Sequence, residues 1–344
     1  MKNITRLLVF SLLFALAPVT YAHTYHQQTV NEIPTFPQCA ELDTKTCPEY
    51  KEYLLDLLIE LIALIKEARE ERENADEDSV QDNEMVVDER EVVNISRSEA
   101  RKIRDRTYRV LSDGMLSGES RGDIPDVVLA LWNDFKIISS DEVISEYMSS
   151  LRAFYDEDEV AAAYVETDAS DYTKWVLGIN IADYVNDRSP GKRNYFQVLV
   201  HEFAHILTLN EDQLDLRIRG NTCGTYNPGE GCAYANSYLH QFVDEFWEDD
   251  DFDASEEAED ERDPDEADKI IQQHYEDNDD EFVSPYAATN PVEDLAETFA
   301  FYVFEETVPT RARSKIDEKF LFLNGFSEIR EIREDIRGNF ADVF

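Results

Sequence analysis

The chain has 344 residues, of which 42% are hydrophobic and 11% aromatic, so it can bury a large core and is not a disordered acidic polymer. It carries 32 Lys and Arg against 76 Asp and Glu, a net charge of -44. Repulsion argues against a nucleic-acid partner or an anionic membrane surface, and it leaves cations and basic molecules as ligands.

The first 22 residues are typical of a secretory signal peptide. Lys2 and Arg6 precede an apolar run from Leu7 to Val19, and the segment ends at Ala22. The run is too short to cross a membrane as a helix. We therefore expect an exported protein, secreted or periplasmic, with no membrane attachment after cleavage.

The four cysteines agree with export, because an oxidising compartment would pair them. We favour the local pairings, Cys39 with Cys47 and Cys223 with Cys232, among the three possible connectivities. A zinc site built from all four thiolates is the alternative. Its usual CxxC spacings are narrower than either spacing in this chain.

Changes in composition along the chain predict two parts, 23–95 and 96–344. Residues 23–48 are rich in Pro and Thr and are expected to be extended. A helix is predicted over 48–72, where leucines and isoleucines recur at helical spacing, and a charged linker follows it. The second part is expected to be the globular domain, and the oligomeric state stays open.

The second part contains both helical and strand patterns. Helices are predicted at 96–112, 125–136 and 141–155. Residues 160–167 and 174–181 flank the polar turn 168–171, a pattern typical of a β-hairpin. Further helices are predicted at 193–209 and over 306–344. The predicted fold class is α+β, with a small antiparallel sheet and a mainly helical C-terminal part.

The helix at 193–209 carries an HExxH motif, from His201 to His205. Histidines four residues apart lie on one helix face, so both imidazoles can bind one tetrahedral Zn²⁺. Glu202 is rotated by about 100° around the helix axis and can reach a water without occupying the metal. The simpler alternative is an amphipathic helix with two unrelated histidines, and a chance HExxH is expected in about one such chain in a hundred.

A catalytic zinc needs a third protein ligand, and a later predicted helix offers candidates. Asn290 can cap this helix, and Pro291 fits its first turn. Glu293 and Glu297 lie on one face, so one can bind the metal while the other accepts a hydrogen bond from a ligand histidine. We favour Glu293 as the ligand and Glu297 as the acceptor for His201 or His205, and Glu297 as the ligand is the first alternative. The other candidates are Asp294, His240 and His274.

HEFAH followed by ExxxE on a later helix resembles the gluzincin group of zinc metallopeptidases. The resemblance implies a zincin-like domain in which His201, His205 and Glu293 bind zinc and Glu297 supports a ligand histidine. Tyr286 lies seven residues before Glu293, a spacing similar to that in the catalytic domain of anthrax lethal factor, where a tyrosine faces the substrate oxyanion. The motifs are also similar to those of uncharacterised secreted bacterial zinc-binding metallopeptidases.

Together these motifs predict a secreted zinc metallopeptidase that cuts peptide or protein substrates. A zinc-activated water would attack the peptide carbonyl, with Glu202 as general base and with Tyr286 and the metal stabilising the oxyanion. The strand at 174–181, in which Gly178 admits close backbone approach, could pair with an extended substrate or could be core alone. The alternative function is an inactive zincin-like protein that binds an exported partner, a surface polymer or Ca²⁺.

The segment 244–281 is unusually acidic, with 21 Asp and Glu against two basic residues. This composition predicts a solvated, mobile insertion beside the cleft, interrupted by the aromatic anchors Phe246, Trp247 and Phe252. An acidic rim could also steer basic peptides to the site. A Ca²⁺ site near 249–253 has less support, because the Asp-x-Asp-x-Asp-Gly loop is missing.

Overall fold

The computed structural model describes residues 95–157, 161–187, 189–218, 223–340 and 343–344. The predicted signal peptide, the helix at 48–72 and the Cys39–Cys47 pair lie outside the described residues. The described ranges cover nearly all of the predicted globular part, 96–344.

The described chain begins with helix α1, Arg97–Ala100, and strand β1, Arg106–Arg109. Ser96 caps α1, and Glu99 completes the capping box by accepting a hydrogen bond from the Ser96 backbone N–H. The predicted helix over 96–112 is therefore wrong beyond its first turn. β1 pairs antiparallel with a later strand, and this tertiary pairing outweighs the local helical preference.

Helix α2, Asp126–Tyr147, is broken at Ser140, whose φ of 71° lies in the left-handed region. This break separates the two helices that the sequence predicts here. The first, 125–136, is confirmed, and it extends further than predicted. The second, 141–155, is confirmed only as far as Tyr147, because the chain after it is a strand.

Strand β2, Met148–Phe154, replaces the end of that predicted second helix. Leu151 and Ala153 are buried, whereas Arg152 between them reaches the surface and forms an ion pair with Asp105. This two-residue alternation is that of a strand with one face in the core. The short apolar pattern of 148–154 fits the period of a helix as well as that of a strand. Pairing with the neighbouring strands makes this segment a strand.

Strands β3, Ala163–Asp168, and β4, Asp171–Asn180, form the predicted hairpin. The sheet has the order β1-β2-β4-β3. β1 pairs antiparallel with β2, and β3 pairs antiparallel with β4, but β2 and β4 are parallel. The prediction of an antiparallel sheet is therefore wrong. β3 pairs only with β4, at the edge of the sheet. The turn between β3 and β4 reverses the chain, so that β4 runs parallel to its other neighbour, β2.

β4 is an interior strand, because it has a partner strand on each side. Its backbone is not available to an extended substrate, so the predicted pairing of 174–181 with a peptide is wrong and the core interpretation holds. Gly178 does admit a close approach, but by the ring of Tyr164, since a Cβ at this position would lie 2.2 Å from Tyr164 Cε1. Within the described sheet β3 is the edge strand on this side.

Helix α3, Ile181–Asn186, leads to helix α4, Arg193–Leu209, which has the bounds predicted from the sequence. Every residue of α4 from Leu199 to Leu209 is buried. The helix packs against α2 and β3. It therefore lies in the core, with the HExxH motif in its C-terminal half.

Two very short strands follow α4, β5 at Leu214–Asp215 and β6 at Cys232–Ala233, and they pair antiparallel. The disulfide Cys223–Cys232 confirms the predicted pair, with its Cα atoms 5.6 Å apart. A Cβ at Gly231 would lie 2.7 Å from the Asp215 carbonyl oxygen, so no side chain fits there. The segment 223–232, the disulfide loop, is thereby joined to the segment that follows α4.

The acidic region contains three helices: α5, Tyr238–Phe246; α6, Asp249–Asp260; and α7, Pro264–Asp277. α5 belongs to the core, and Phe246 at its end is buried. α6 and α7 pack on each other and expose most of their side chains, with only Asp251 buried. The acidic segment is solvated as predicted, but it is helical because its few apolar residues give the two helices a packed side.

Three C-terminal helices confirm the predicted helical end of the chain: α8, Pro291–Phe304; α9, Lys315–Gly325; and α10, Ser327–Asn339. α8 packs against α4, α5, α9 and α10 and is buried along most of its length. The described residues thus form a mixed α+β fold with a small sheet and a mainly helical C-terminal part. Its centre is the contact of α4 with α8.

Candidate metal centre

α4 presents His201 and His205 one turn apart on the same face. Both side chains are buried, and their rings meet edge to face with centroids 4.7 Å apart. Their Nε2 atoms are 3.0 Å apart. Because the surrounding turn is packed in the core, the two rings have little freedom to separate.

Glu293 reaches the histidines from the first turn of α8. The Asn290 side chain accepts hydrogen bonds from the N–H groups of Val292 and Glu293, and Pro291 occupies the first helical position. This cap fixes where α8 begins. Packing of α8 on α4 then carries the Glu293 carboxylate to the two imidazoles.

The three side chains converge on a common point. Glu293 Oε2 lies 3.1 Å from His201 Nε2 and 3.3 Å from His205 Nε2. Ligand atoms around a tetrahedral Zn²⁺ with bonds of about 2.0–2.1 Å are separated by about 3.3 Å. His201, His205 and Glu293 could therefore hold a metal ion, and among the described residues they form the one group with that geometry.

A buried oxygen of this centre supports a ligand role. Glu293 Oε2 is buried and makes no well-aligned hydrogen bond within the described chain, although both Nε2 atoms lie near it. Burying such an oxygen without a satisfied partner is costly. A divalent cation between the oxygen and the two nitrogens would remove that cost, so the residues present fit a bound metal.

Glu297 lies one turn after Glu293 and orients His201. Its Oε1 is 2.9 Å from His201 Nδ1, and its Oε2 accepts a hydrogen bond from Ser284 Oγ at 2.7 Å. A carboxylate at Nδ1 favours the tautomer that carries its proton there, which leaves the Nε2 lone pair facing the centre. The sequence predicts this place for Glu297, but it contains no pattern that singles out Ser284.

His205 lacks such a support. Its Nδ1 is buried and has no hydrogen-bond partner among the described residues. Glu230 of the disulfide loop lies within electrostatic reach of this ring. Burial raises the pKa of Glu230, and its own backbone amide and His205 partly oppose that rise. Sequence reasoning did not find Glu230, which is one of many acids in the chain.

The charged groups at the centre shift one another's pKa values. Burial lowers the pKa of His201, but Glu293 and Glu297 outweigh it and raise that pKa to about 10. Burial raises the pKa of Glu293, but His201 and His205 outweigh it and hold that pKa well below its usual range. In the metal-free protein a proton on the imidazole thus balances the carboxylate charge, as a bound cation would.

Glu202 lies beside the three converging side chains and is itself buried, with 7% of its surface exposed. Its carboxylate lies close to the backbone N–H of Val165 in β3. Burial raises the pKa of Glu202, and the charges of His205 and His201 partly oppose that rise, as the Val165 N–H does slightly. The contact with Val165 is made by a backbone group, so no side-chain pattern could have predicted it.

Tyr286 lies on the open side of the centre, where 53% of its surface is exposed. Its ring centroid is 5.7 Å from that of His201, and its hydroxyl lies close to the Glu293 carboxylate. Burial of the hydroxyl, followed by the negative charges of Glu293 and Glu202, raises the pKa of Tyr286. The hydroxyl therefore stays protonated at neutral pH and can donate a hydrogen bond.

The other candidate ligands lie outside the centre. His274 Nε2 is 2.9 Å from Asp251 Oδ1, in the contact between α7 and α6. Asp294 is fully buried and accepts a hydrogen bond from Lys319. His240 is on α5 and is not part of the converging group. The structure thus brings together Glu293 and Glu297 with the histidines, and leaves the three alternatives elsewhere.

The predicted Ca²⁺ site near 249–253 finds no support. Asp249, Asp250 and Asp251 occupy the first turn of α6, where acids favour the helix N-terminus. The Asp251 carboxylate already accepts a hydrogen bond from the Glu248 backbone N–H and lies within hydrogen-bond distance of His274 Nε2. No group of carboxylates in this described helix has the geometry to hold a metal ion.

No protein-family model, curated protein or solved structure matches this chain. The resemblance to gluzincins therefore stays a prediction from the motifs, and the geometry of the centre bears on function by itself. None of the helices in the described ranges has the length and apolar character to cross a membrane.

Proposed function

We propose that the chain is a secreted zinc metallopeptidase with a zincin-like catalytic domain. One observation carries the proposal: two imidazole nitrogens and one carboxylate oxygen converge to within 3.3 Å of one another, beside the buried carboxylate of Glu202. Structural zinc sites usually have four protein ligands, whereas catalytic sites have three and leave one position for water. Three ligands with an adjacent acid correspond to the second kind.

The donor set favours Zn²⁺ over other common ions. Ca²⁺ takes about six to eight oxygen ligands, and soft ions prefer thiolates, whereas His201, His205 and Glu293 offer two nitrogens and one oxygen. These three residues would hold the ion. When bound, Zn²⁺ supplies Lewis acidity that lowers the pKa of a water and polarises a carbonyl group.

Glu202 is the proposed general base. Burial raises its pKa, so its carboxylate is a stronger base than that of an exposed glutamate. The carboxylate takes a proton from the attacking water and then delivers it to the departing amine.

Tyr286 is the proposed donor to the oxyanion that forms at the substrate carbonyl. Its exposed ring allows the hydroxyl to turn from Glu293 towards a bound substrate. One well-placed donor to an oxyanion contributes roughly 2.7–4 kcal/mol to stabilising the transition state.

An extended peptide is proposed to lie along β3. β3 is one of the two edge strands of the described sheet, and its residue Val165 is adjacent to Glu202. Main-chain hydrogen bonds along such an edge recognise a peptide backbone whatever its side chains. A peptide or protein substrate, met after export, therefore fits this arrangement better than a small molecule.

The test compares the parent chain with Glu202→Gln. Both proteins should bind one equivalent of zinc, measured by elemental analysis after dialysis. Cleavage of a peptide library should fall by roughly 10²–10⁴ in the variant, because a positioned general base contributes that much. Glu211→Gln, which alters an exposed acid just after α4, is the matched control and should cut like the parent.

Two outcomes would contradict the proposal. A Glu202→Gln protein that binds zinc and cuts as fast as the parent removes Glu202 as the base. A parent that binds zinc and cuts no peptide favours the alternative, an inactive zincin-like binding protein. The buried position of Glu202 speaks against that alternative, because a metal site kept only for structure needs no acid there.

A further inference from the structure

The residue after the metal ligand candidate Glu293 belongs to a deeply buried ion pair. Asp294 Oδ2 and Lys319 Nζ are 2.6 Å apart, and their side chains are 0% and 1% exposed. Lys319 comes from α9, so the pair joins the first turn of α8 to the next helix.

The Asp294 carboxylate accepts hydrogen bonds from three directions. Lys319 Nζ donates at 2.6 Å and Trp247 Nε1 at 2.9 Å, both to Oδ2, and Thr298 Oγ1 donates at 3.1 Å to Oδ1. A buried carboxylate with all of these donors has one well-defined position. The backbone of the first turn of α8 is held with it.

Lys319 is held as firmly as Asp294. Its Nζ also donates to the Glu281 carbonyl oxygen at 2.8 Å and lies 4.3 Å from the ring centroid of Phe282. These partners follow α7, whereas Trp247 precedes α6. Through Trp247 on Asp294 and through Glu281 on Lys319, the ion pair joins both ends of the acidic helical pair to the start of α8.

A buried ion pair needs a reason other than stability. Removing two charges from water costs so much that an apolar pair of similar volume is often as stable or more so. Apolar contacts, however, do not fix direction, whereas charged hydrogen bonds do. The pair lies next to the residue whose carboxylate must meet two nitrogens to within a few tenths of an ångström.

We infer that Asp294 and Lys319 are positioning residues for Glu293. Glu293 lies between the Asn290 cap and the clamped Asp294, so both of its flanks in the first turn of α8 are fixed and its side chain is aimed at His201 and His205. The inference rests on the proposed function, since it gives Glu293 the role of metal ligand. Neither positioning residue touches the substrate.

The test measures metal affinity rather than hydrolysis. Metal-free parent, Lys319→Met and Asp294→Asn are titrated with Zn²⁺ against a chromogenic chelator, and circular dichroism verifies that each is folded. The zinc dissociation constant should rise roughly 10–100-fold in both variants, as it does when residues that support metal ligands are lost. The visible absorption of the Co²⁺-loaded proteins should change as well, because it reports ligand geometry.

Leu323→Ala is the matched control. Leu323 is buried in the same helix as Lys319, so its truncation destabilises α9 without removing a hydrogen bond to Asp294. Its zinc dissociation constant should stay within about twofold of the parent value, and its Co²⁺ spectrum should be unchanged. A purely structural role for Lys319 predicts instead that all three variants behave alike.

Each outcome decides between the two claims. If folded Lys319→Met and Asp294→Asn keep the parent affinity, the positioning inference is wrong and the proposed function is untouched. If they bind zinc more weakly but no protein cuts peptides, the inference holds and the proposed function fails. A parent that binds no zinc overturns both.

A variant without both charges covers the case in which Lys319→Met does not fold. Lys319→Met/Asp294→Leu replaces the pair by apolar groups and should fold, since no unpaired charge is buried. Weakened zinc binding by the folded double variant supports positioning, and parent affinity overturns it.

Discussion

Acidic side chains occupy two regions of this molecule under opposite conditions. At the candidate metal centre Glu202, Glu293 and Glu297 are few, withdrawn from water and each held by a named partner. On α6 and α7 they are many, and only Asp251 is buried. The acids of the first region are fixed in direction by their contacts, whereas those of the second, apart from Asp251, are exposed or half-buried.

The comparison teaches that the amount of charge says little about chemistry. A charge in water is screened within about 10 Å at moderate salt, whereas a desolvated charge acts strongly on its neighbours. The acidic helices therefore act at a distance, as a field that can attract basic molecules. The centre acts by contact. Experiments on metal binding and on stability can test this division, from the largest expected effect to the smallest.

Zinc should stabilise the parent protein, and His205→Ala should abolish most of that effect. At a Zn²⁺ concentration about 100-fold above the dissociation constant, the free energy of unfolding should rise by about 2.7 kcal/mol. Thermal unfolding with Zn²⁺ and with a chelator measures the gain. His274→Ala removes a half-buried histidine outside the centre and should keep the full gain. Equal gains in both variants would locate the metal elsewhere.

Zinc affinity should increase with pH. The pKa of His201 is raised to about 10 in the metal-free protein, so below that pH a metal must displace its proton. Each unit of falling pH should then weaken binding about tenfold, or about 100-fold between pH 8 and pH 6. Chelator competition at several pH values measures this. A flat profile would mean that His201 is already neutral.

The raised pKa of His201 also affects the stability of the metal-free protein, which should decrease with rising pH whereas zinc affinity increases. The His201 contribution to stability is fully present below the ordinary pKa of the unfolded chain, about 6.5, and is lost as pH rises towards 10. Without metal, stability should therefore fall on the alkaline side, and bound zinc should suppress that fall. Chemical denaturation at about pH 7 and pH 9.5, with and without Zn²⁺, checks the sign.

Glu297→Gln should weaken zinc binding roughly 10–100-fold, or by about 1.4–2.7 kcal/mol, because it removes the charge that orients His201. Glu266→Gln makes the same chemical change on exposed α7 and should leave the zinc dissociation constant unchanged. Isothermal titration of both variants measures the difference. If the two variants weaken binding equally, bulk charge rather than contact governs the centre.

Neutralising single acids on the exposed side of α7 should have the smallest effect. Asp268→Asn should change the free energy of unfolding by less than about 0.5 kcal/mol, as is usual at exposed positions. Urea denaturation at low and at moderate salt measures it. A loss above about 1 kcal/mol would show that the acidic helices carry structural charges that their exposure does not reveal.

The sequence predicts α4 and the start of α8 because their signals are local. The apolar period of α4 and the HExxH spacing lie within one helix. Asn290 and Pro291 mark the beginning of α8, and the four-residue spacing then places Glu293 and Glu297 on one face. The convergence of the two helices follows only from packing, but the requirement for a third ligand anticipates it.

β1 and β2 could not be predicted in the same way. In Arg106–Arg109 only Tyr108 is buried, so the segment lacks the alternation of a strand. Met148–Phe154 follows the second half of α2 directly, with no Gly or Pro between them to mark the change. Both become strands because each completes the hydrogen bonds of a neighbour distant in sequence, and propensity does not contain that information.

The buried pair Asp294–Lys319 was also beyond prediction. Lysine is rarely buried, and the most probable place for one in a very acidic chain is the surface. The two residues are separated by 25 positions in sequence and lie on different helices. Only the packed structure shows that one of the few lysines neutralises an acid in the core.

The two ends of the α6–α7 pair meet in space, because the ring of Trp247 before it lies 5.9 Å from the ring of Phe282 after it. A chain segment that leaves and re-enters a fold at adjacent points can change in length at little cost to loop closure. Replacing residues 249–279 by a short glycine-rich link should therefore give a truncated but folded protein. It would lose several contacts with the core, among them that of Phe252 with Tyr226 and the hydrogen bond from Ser255 to the Thr289 carbonyl oxygen. We expect the pair to be an exchangeable module, through which the same core can carry different surfaces.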